Sequence, residues 1–244
     1  MKVLVIPDVH LKPWMFEQAE QLLAQGAAER AVCLMDLPDD WRQEYNIPLY
    51  KQTFDAAIAF AVCFPETLWV YGNHDLCYYW NERESGYSIM ATRTVCEKLL
   101  ELKETLPEDN EIRYVQKIDR VLFCHGGLLD AFVKHVVPPE QQQSHEAVLA
   151  AINNLTHASM WNDASPLWYR PQYSAQPLYA EGELWQVVGH TPVATIEQQG
   201  SLISCDTFST YSNGTPIGTQ EFLIIDTISG EWKGSAGKAS ARRG

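Results

Sequence analysis

The chain has 244 residues, of which 46% are hydrophobic, 20% charged and 11% aromatic, a composition typical of a globular domain with a sizeable core. Its formal net charge of −13 argues against binding to a nucleic-acid backbone or an anionic membrane, because both need a basic protein face. The sequence has no apolar run of membrane-spanning length and no secretory signal, and its six cysteines are scattered, so we expect a cytoplasmic protein with reduced thiols.

The first half of the sequence alternates short apolar runs with segments of helical periodicity. The runs KVLVI, AVCLM and LWVY are typical of buried strands. Apolar residues at helical spacing predict helices over residues 15–29, 52–63 and 90–102. This alternation predicts an α/β protein with a layered core.

The second half is expected to be richer in β-structure. Strands are predicted at residues 112–115 and 120–124, joined by a tight turn at 117–119, and later at residues 185–188, 195–197, 202–205 and 222–226. A helix is predicted over residues 140–155, and the aromatic segment 157–179 is expected to be irregular. We therefore expect one domain over residues 1–234, with a cap-like insertion at about 138–184 and a disordered tail at 235–244.

Polar side chains follow five of the predicted strands, close to the point where each strand ends. They are Asp8 and His10, Asp36, Asn73 and His74, His125, and His190. Because the strand ends of a layered α/β domain direct their loops to one edge, we expect these side chains to converge.

The residue types in this set are typical of a site for two divalent metal ions. Asp8 and His10 alternate along an extended backbone and therefore share a face. A carboxylate at Asp36 can bridge two ions, and a bridged pair roughly 3.5–4 Å apart suits phosphoester hydrolysis. Mixed imidazole, amide and carboxylate ligands favour Mn²⁺, Fe or Zn²⁺ over Ca²⁺.

The order of the motifs DVH, DLPD, GNHD, HGG and GHTP resembles that of the calcineurin-like metallophosphoesterase superfamily. The HGG motif and the LWYR segment at residues 167–170 resemble its phosphoprotein-phosphatase branch, which includes bacterial Ser/Thr phosphatases and symmetric dinucleoside tetraphosphatases. The resemblance implies an αββα sandwich, in which helices flank two mixed β-sheets. The segments CDTFST and FLIID resemble the family's closing strands.

The resemblance also implies a role for each residue of the site. One metal ion would be held by Asp8, His10 and Asp36, and the other by Asp36, Asn73, His125 and His190. His74 would protonate the leaving group as a general acid, and Asp39 would orient that histidine. Arg170 would bind the phosphate oxygens, although a surface arginine beside Pro171 is an equally open interpretation.

The sequence departs from the family pattern at three positions. The family's GDxxDR appears here as MDLPDD, so Met35 replaces a glycine and Asp40 replaces a phosphate-binding arginine. Leu11 replaces the glycine that usually follows the first histidine. We interpret these changes as a divergent substrate pocket, with Arg42 as a candidate replacement for the missing arginine.

The resulting hypothesis is a phosphoesterase with two metal ions, Mn²⁺ first and Fe or Zn²⁺ as alternatives. It would hydrolyse phosphomonoesters, with a Ser/Thr phosphoprotein as a candidate substrate, by direct attack of a metal-bound hydroxide. A symmetric dinucleoside polyphosphate hydrolase is the alternative within the class, and an inactive scaffold on the same fold is the alternative outside it. The expected partner is a phosphate ester, phosphoprotein or nucleotide, with no binding to nucleic-acid backbones or membranes. Lid packing and a pocket for an aromatic group both remain open for Trp161, Trp168, Tyr169 and Tyr173.

Overall fold

The computed structural model describes residues 1–236. The strands there are β1 (Lys2–Ile6), β2 (Arg30–Cys33), β3 (Leu68–Trp69), β4 (Val115–Ile118), β5 (Val121–Cys124), β6 (Trp185–Val188), β7 (Glu197–Gln199), β8 (Leu202–Ser204), β9 (Leu223–Asp226) and β10 (Trp232–Gly234). The α-helices are α1 (Trp14–Ala24), α2 (Ile47–Cys63), α3 (Asn73–Trp80), α4 (Thr92–Thr105), α5 (Asp130–Val136), α6 (His145–Asn153) and α7 (His157–Met160). Short 3₁₀ turns lie at Pro139–Gln141 and Pro171–Tyr173.

The strands form two mixed sheets of five strands each. The first sheet has the order β10-β9-β1-β2-β3, in which β1, β2 and β3 are parallel and β9 runs antiparallel to β1. The second sheet has the order β4-β5-β6-β8-β7, in which β5, β6 and β8 are parallel. The parallel strands at the centre of each sheet carry the loops that form the site.

Alternation along the strands divides the apolar side chains among three cores. In β1, Val3 and Val5 face the second sheet, whereas Leu4 and Ile6 face the outer helices. In β5, Phe123 faces the first sheet, whereas Leu122 packs in a core that also contains side chains of α5 and α6. The layers are therefore helix, sheet, sheet and helix, and the predicted αββα architecture is confirmed.

Local signals explain where several elements differ from the predicted bounds. Helix α1 ends at Ala24, because Gly26 adopts a φ of 73° and turns the chain away. Helix α6 begins at His145, where the side chain of Ser144 accepts a hydrogen bond from the Ala147 N–H at 3.2 Å.

The predicted hairpin at residues 112–124 is shifted along the chain. The strand expected at 112–115 begins only at Val115, and the turn lies at residues 119–120. The reason is that Arg113 pairs with the first sheet: its N–H donates to the Trp69 carbonyl and its carbonyl accepts from the Tyr71 N–H.

Helix α6 lies in the segment predicted to form a cap, and it belongs to the outer layer of the second sheet. The Asn153 side chain at its end bonds both backbone groups of Val115, at 3.0 and 2.9 Å.

Near the other end of the chain, the Ser235 N–H donates to the Phe222 carbonyl. The rest of the predicted tail, from residue 237 onward, lies outside the described residues. Within residues 1–236, no helix has both the length and the hydropathy needed to cross a bilayer.

Candidate metal centre

The predicted site residues follow the carboxyl ends of five parallel strands. Asp8 and His10 follow β1, Asp36 follows β2, and Asn73 opens α3 after β3. His125 and His190 follow β5 and β6 of the second sheet. Because the two sheets face each other, these loops meet at one edge of the sandwich, as the sequence predicts.

Three of these loops contain non-glycine residues with a left-handed backbone, and in two of them such a residue replaces a glycine of the family pattern. Leu11 has a φ of 57° and Met35 a φ of 54°, and these are the two positions where the family pattern has glycine. Both side chains are buried, and the N–H of Leu11 donates to the Leu37 carbonyl. The loops therefore keep a glycine-like path, and burial of the larger side chains offsets a backbone cost of roughly 1–2 kcal/mol each.

A buried carboxylate fixes the loop that carries Asp36. The Asp75 carboxylate accepts hydrogen bonds from the N–H groups of Asp36 (2.9 Å), Leu37 (3.0 Å) and Gly72 (3.0 Å). Burial, followed by the charge of Asp36, raises the pKa of Asp75 to about 7. Asp75 belongs to the GNHD motif, but the sequence gives no sign of this supporting role.

The close approach of Gly72 to Asp36 gives a first prediction. A Cβ atom at Gly72 would overlap Oδ1 and Cγ of Asp36, in a region where neither loop can move freely. We expect Gly72→Ala to lower the free energy of unfolding by about 1–3 kcal/mol and to displace the Asp36 carboxylate. Denaturant unfolding and metal analysis would measure both effects. Gly26→Ala is the control for metal content: its φ of 73° makes alanine unfavourable for the backbone, but no atom lies within 4 Å of a Cβ there and the metal ligands are untouched. Equal metal content in Gly72→Ala and the wild type would contradict the prediction.

The side chains form two groups that share Asp36. In the first group, one ligand atom each from Asp8, His10 and Asp36 lies within 4.8 Å of the others, and the second group joins Asp36, His125 and His190 by the same criterion. Asn73 extends the second group, because its Oδ1 lies 2.9 Å from Nε2 of His125. The His190 N–H donates to both carboxylate oxygens of Asp8, at 3.1 and 2.8 Å, and so connects the two groups.

Each of the three candidate ligand histidines, His10, His125 and His190, uses one ring nitrogen to bond a backbone carbonyl. Nδ1 of His10 donates to the Asp39 carbonyl (2.9 Å), and Nδ1 of His125 donates to the Leu34 carbonyl (3.1 Å). In His190 the donor is Nε2, which bonds the Trp168 carbonyl at 3.1 Å. The other ring nitrogen of each histidine is the candidate metal ligand, and the carbonyl fixes the ring in place. In His125 this nitrogen lies 2.9 Å from Oδ1 of Asn73 and 3.1 Å from Oδ2 of Asp36.

Burial and charge in the cluster are compatible with bound cations. Burial lowers the pKa of His10 and of His190, which favours the neutral imidazole that binds metals. Burial and the neighbouring Asp206 raise the pKa of Asp8, because the cluster concentrates negative charge away from water. His125 differs: burial lowers its pKa, but Asp36 and Asp8 outweigh burial and raise it to about 9. A cation between these carboxylates would take the place of that proton, so the donor set fits a pair of divalent ions.

Asp206 is a member of this cluster that the sequence reasoning missed. It follows β8, is 1% exposed, and accepts hydrogen bonds from the N–H (3.2 Å) and hydroxyl (2.8 Å) of Ser209. The signal that could have found it is the one used for the other sites, an aspartate directly after an apolar run, here LISC.

His74 lies beside the two groups and is held by Asp39. Nδ1 of His74 donates to Oδ2 of Asp39 at 2.9 Å, and the other carboxylate oxygen accepts from the hydroxyls of Tyr50 (2.9 Å) and Tyr78. Burial lowers the pKa of His74, but the charge of Asp36 and the bond to Asp39 outweigh burial and raise it to about 9. The bond to the Asp39 carboxylate favours an imidazolium, the form that can give a proton.

A cavity of about 610 Å³ opens over these residues. Both arginines that the sequence singles out contribute to its lining. Arg170 donates to the His190 carbonyl (2.6 Å) and to the Thr191 hydroxyl (3.2 Å), which fixes it at the cavity wall. Arg42 is exposed and has no ion pair within residues 1–236.

The aromatic residues of the segment 157–179 divide between packing and the cavity. Trp168 lines the cavity, with its ring centroid 6.0 Å from that of His190. Trp161 packs edge-on against Trp168 at 5.1 Å, and Tyr169 is partly buried against the outer core of the second sheet. Tyr173 is 77% exposed and does not line the cavity. An exposed aromatic side chain in the cavity that the sequence did not indicate is Trp41.

Comparisons with known proteins agree with this geometry. The family model of the calcineurin-like phosphoesterases matches residues 1–211. Among solved structures, a cold-active protein-tyrosine phosphatase of a psychrophilic Shewanella species is similar with a TM-score of 0.57 and 17% identity, over 95% of this chain and 76% of that chain. A protein serine/threonine phosphatase from Saccharomyces cerevisiae, described as similar to human phosphatase PP5, has a TM-score of 0.51 and 14% identity, over 92% of this chain and 72% of that chain. No curated protein matches this chain.

The two solved structures show a shared fold at these identities, and the family match covers most of the sequence, including all of the predicted site residues. This chain therefore belongs to the calcineurin-like phosphoesterase family and is a metal-dependent phosphoester hydrolase.

Proposed function

We propose that this protein hydrolyses phosphomonoesters with the help of two divalent metal ions. The observation that carries the proposal is the pair of ligand groups that share Asp36 and lie next to His74 in one cavity. Asp8, His10 and Asp36 would hold one ion. Asp36, Asn73, His125 and His190 would hold the other.

The metal ions and the protein side chains would have different tasks. Two ions at this site would supply positive charge to the phosphoryl oxygens and lower the pKa of a water molecule. His74 would give its proton to the oxygen of the leaving group, and the bond to Asp39 would keep the ring in the orientation that this requires. Arg170 and Arg42 would bind the remaining phosphate oxygens, because a guanidinium can donate two parallel hydrogen bonds to them.

The candidate substrates follow from the similar structures and from the lining of the cavity. The two similar structures are described as a protein-tyrosine and a protein serine/threonine phosphatase, which supports a phosphomonoester and makes a phosphoprotein a candidate substrate. The rings of Trp41 and Trp168 line the same cavity and favour, as a second candidate, a dinucleoside polyphosphate with a base stacked on one of them.

The metal and the cellular location are also part of the proposal. Imidazole, amide and carboxylate ligands favour Mn²⁺, with Fe or Zn²⁺ as alternatives. All six cysteines are free thiols, which supports a reducing compartment such as the cytoplasm.

A substrate panel assayed with Mn²⁺ tests the proposed function. We expect the full chain to release orthophosphate from p-nitrophenyl phosphate or a phosphopeptide, and to lose this activity on chelation. Release of ADP from diadenosine tetraphosphate, without orthophosphate from the monoesters, would support the second candidate instead. A protein that binds no metal and hydrolyses none of these compounds would be the inactive scaffold, and the proposal would be wrong.

A further inference from the structure

Lys12 and Asp40 form an ion pair behind the wall of the cavity. Nζ of Lys12 lies 3.1 Å from Oδ2 of Asp40 and donates a second bond to the His10 carbonyl at 3.0 Å. Lys12 is 7% exposed and is absent from the cavity lining, whereas Asp40 lines the cavity. A lysine this buried is rarely found unpaired, so its contact with Asp40 is a fixed part of the structure.

The second oxygen of Asp40 is also fully used. Its Oδ1 accepts from the N–H of Trp41 at 2.7 Å and from the hydroxyl of Thr210 at 3.1 Å. The indole N–H of Trp41 in turn donates to the Thr210 carbonyl at 2.9 Å. Asp40 therefore joins the loop after β1, the loop after β2 and the loop after β8.

These bonds hold the backbone next to Arg42. Asp39 and Arg42, which flank Asp40 and Trp41 in the sequence, have φ values of 65° and 62°, in the left-handed region that non-glycine residues rarely adopt. Such a path persists only where the surrounding contacts enforce it. The side chain of Asp39, held by His74 and two tyrosines, fixes one end of the segment. The contacts of Asp40 fix the part next to Arg42. The path leads Arg42 to the cavity, where its guanidinium has no ion pair among the described residues.

We propose that the Lys12–Asp40 pair is a positioning device that holds Arg42 in place as a phosphate-binding cation. The sequence pattern of the family has an arginine where this chain has Asp40, and here the cation reaches the cavity from two residues further along. The inference rests on the proposed use of the cavity for a phosphate ester. Lys12 and Asp40 act through Arg42 and do not themselves contact the phosphate.

A competing explanation predicts the opposite change in phosphate affinity when Asp40 is replaced. If Asp40 were only a carboxylate left at the cavity wall, it would repel phosphate, and Asp40→Asn would strengthen phosphate binding. If Asp40 positions Arg42, the same substitution weakens binding, because residues 39–42 lose their ion pair with Lys12 in the loop after β1.

The test measures the affinity of the Mn²⁺-loaded full chain for inorganic phosphate by titration calorimetry, which does not depend on turnover. We expect Arg42→Gln, Asp40→Asn and Lys12→Met each to weaken binding by about tenfold, the value of one lost charge-assisted hydrogen bond. In the Arg42→Gln background, Asp40→Asn should have almost no further effect, because both changes remove the same contact. Lys12→Arg, which keeps the charge, should retain most of the affinity.

The controls separate positioning from general loss of structure. Lys134→Met removes a surface ion pair with Asp130 and should leave phosphate affinity and the unfolding midpoint unchanged. Asp40→Asn should lower the unfolding midpoint by roughly 6 °C or more. If Asp40→Asn does not fold, Lys12→Met is measured in the wild-type and Arg42→Gln backgrounds instead, because a positioning role requires its effect to disappear once Arg42 is absent.

Two results would overturn the inference. One is tighter phosphate binding in Asp40→Asn, and the other is an undiminished effect of Asp40→Asn in the Arg42→Gln background. A wild type that hydrolyses p-nitrophenyl phosphate but shows either result would refute the positioning role and leave the proposed function standing. A wild type that neither binds phosphate nor hydrolyses the ester would refute both.

Discussion

Replacing Asp36 with asparagine is expected to remove metal ions from the protein and to abolish most of its activity. Asp36 is the only side chain present in both ligand groups among the described residues, so its loss affects both ions at once. Changes to residues that merely support a metal ligand cost 10–100-fold in affinity or activity. For a ligand shared by two ions we therefore expect kcat/KM to fall by roughly 10³-fold or more.

The measurement combines metal analysis of the purified variant with hydrolysis of p-nitrophenyl phosphate. Asparagine keeps the size of the side chain, and its Oδ1 can still accept the hydrogen bond that the His74 N–H donates at 2.9 Å. We therefore expect the variant to fold. Asp130→Asn, a change in a surface carboxylate, is the matched control. Two ions per chain and full activity in Asp36→Asn would show that Asp36 is not the shared ligand.

The second large effect is expected for His74→Asn, and it should depend on the leaving group. A positioned general acid contributes typically about 10²–10⁴-fold, but only where the departing oxygen needs a proton. An alkyl phosphate such as phosphoserine releases a strongly basic alkoxide, whereas p-nitrophenyl phosphate releases a weakly basic phenolate. We expect kcat to fall by about 10²–10⁴-fold for the first substrate and by far less for the second.

Metal content serves as the control for His74→Asn, because His74 belongs to neither ligand group and the variant should retain both ions. Asp39→Asn keeps the imidazole of His74 but weakens the bond that orients it. We expect its kcat to show the same dependence on the leaving group, with a smaller decrease. An equal loss on both substrates would show that His74 acts in binding or in structure rather than as the acid.

The layers of this fold could be predicted because apolar runs and strand ends are local features of the sequence. The runs before Asp8, Asp36 and His125 identify β1, β2 and β5, and the positions of polar residues directly after them place these residues at one edge. The order of the strands in each sheet could not be predicted in this way. The pairing of β9 with β1 joins residues more than 200 positions apart, and no local pattern contains that information.

Supporting residues were harder to predict than the candidate ligands. Asp75 holds the Asp36 loop through three backbone N–H groups that come from two separate segments, so its role exists only once the chain has folded. Helix α3 was missed for a related reason. It is eight residues long, and its N-terminal turn depends on Gly72 and Asp75 rather than on apolar periodicity.

The substitutions at Leu11, Met35 and Asp40 show how far a family pattern can guide such predictions. Leu11 and Met35 differ from the family in residue type but keep the backbone that glycine would adopt. Asp40 changes the charge at its position, and its meaning depends on Lys12, which lies 28 positions earlier in the sequence.

The candidate ligands are divided between the two halves of the sandwich. Asp8, His10, Asp36 and Asn73 come from the first sheet, and His125 and His190 from the second. A partly folded chain with only one sheet formed would present only part of the ligand set. A metal ion would therefore bind almost exclusively to the native state, in which the two sheets are packed together. By thermodynamic linkage, an ion at 100 times its dissociation constant would then add about 2.7 kcal/mol to the free energy that keeps the sheets together. The concentration of free metal ion would therefore affect how long the folded protein persists, as well as how fast it hydrolyses its substrate.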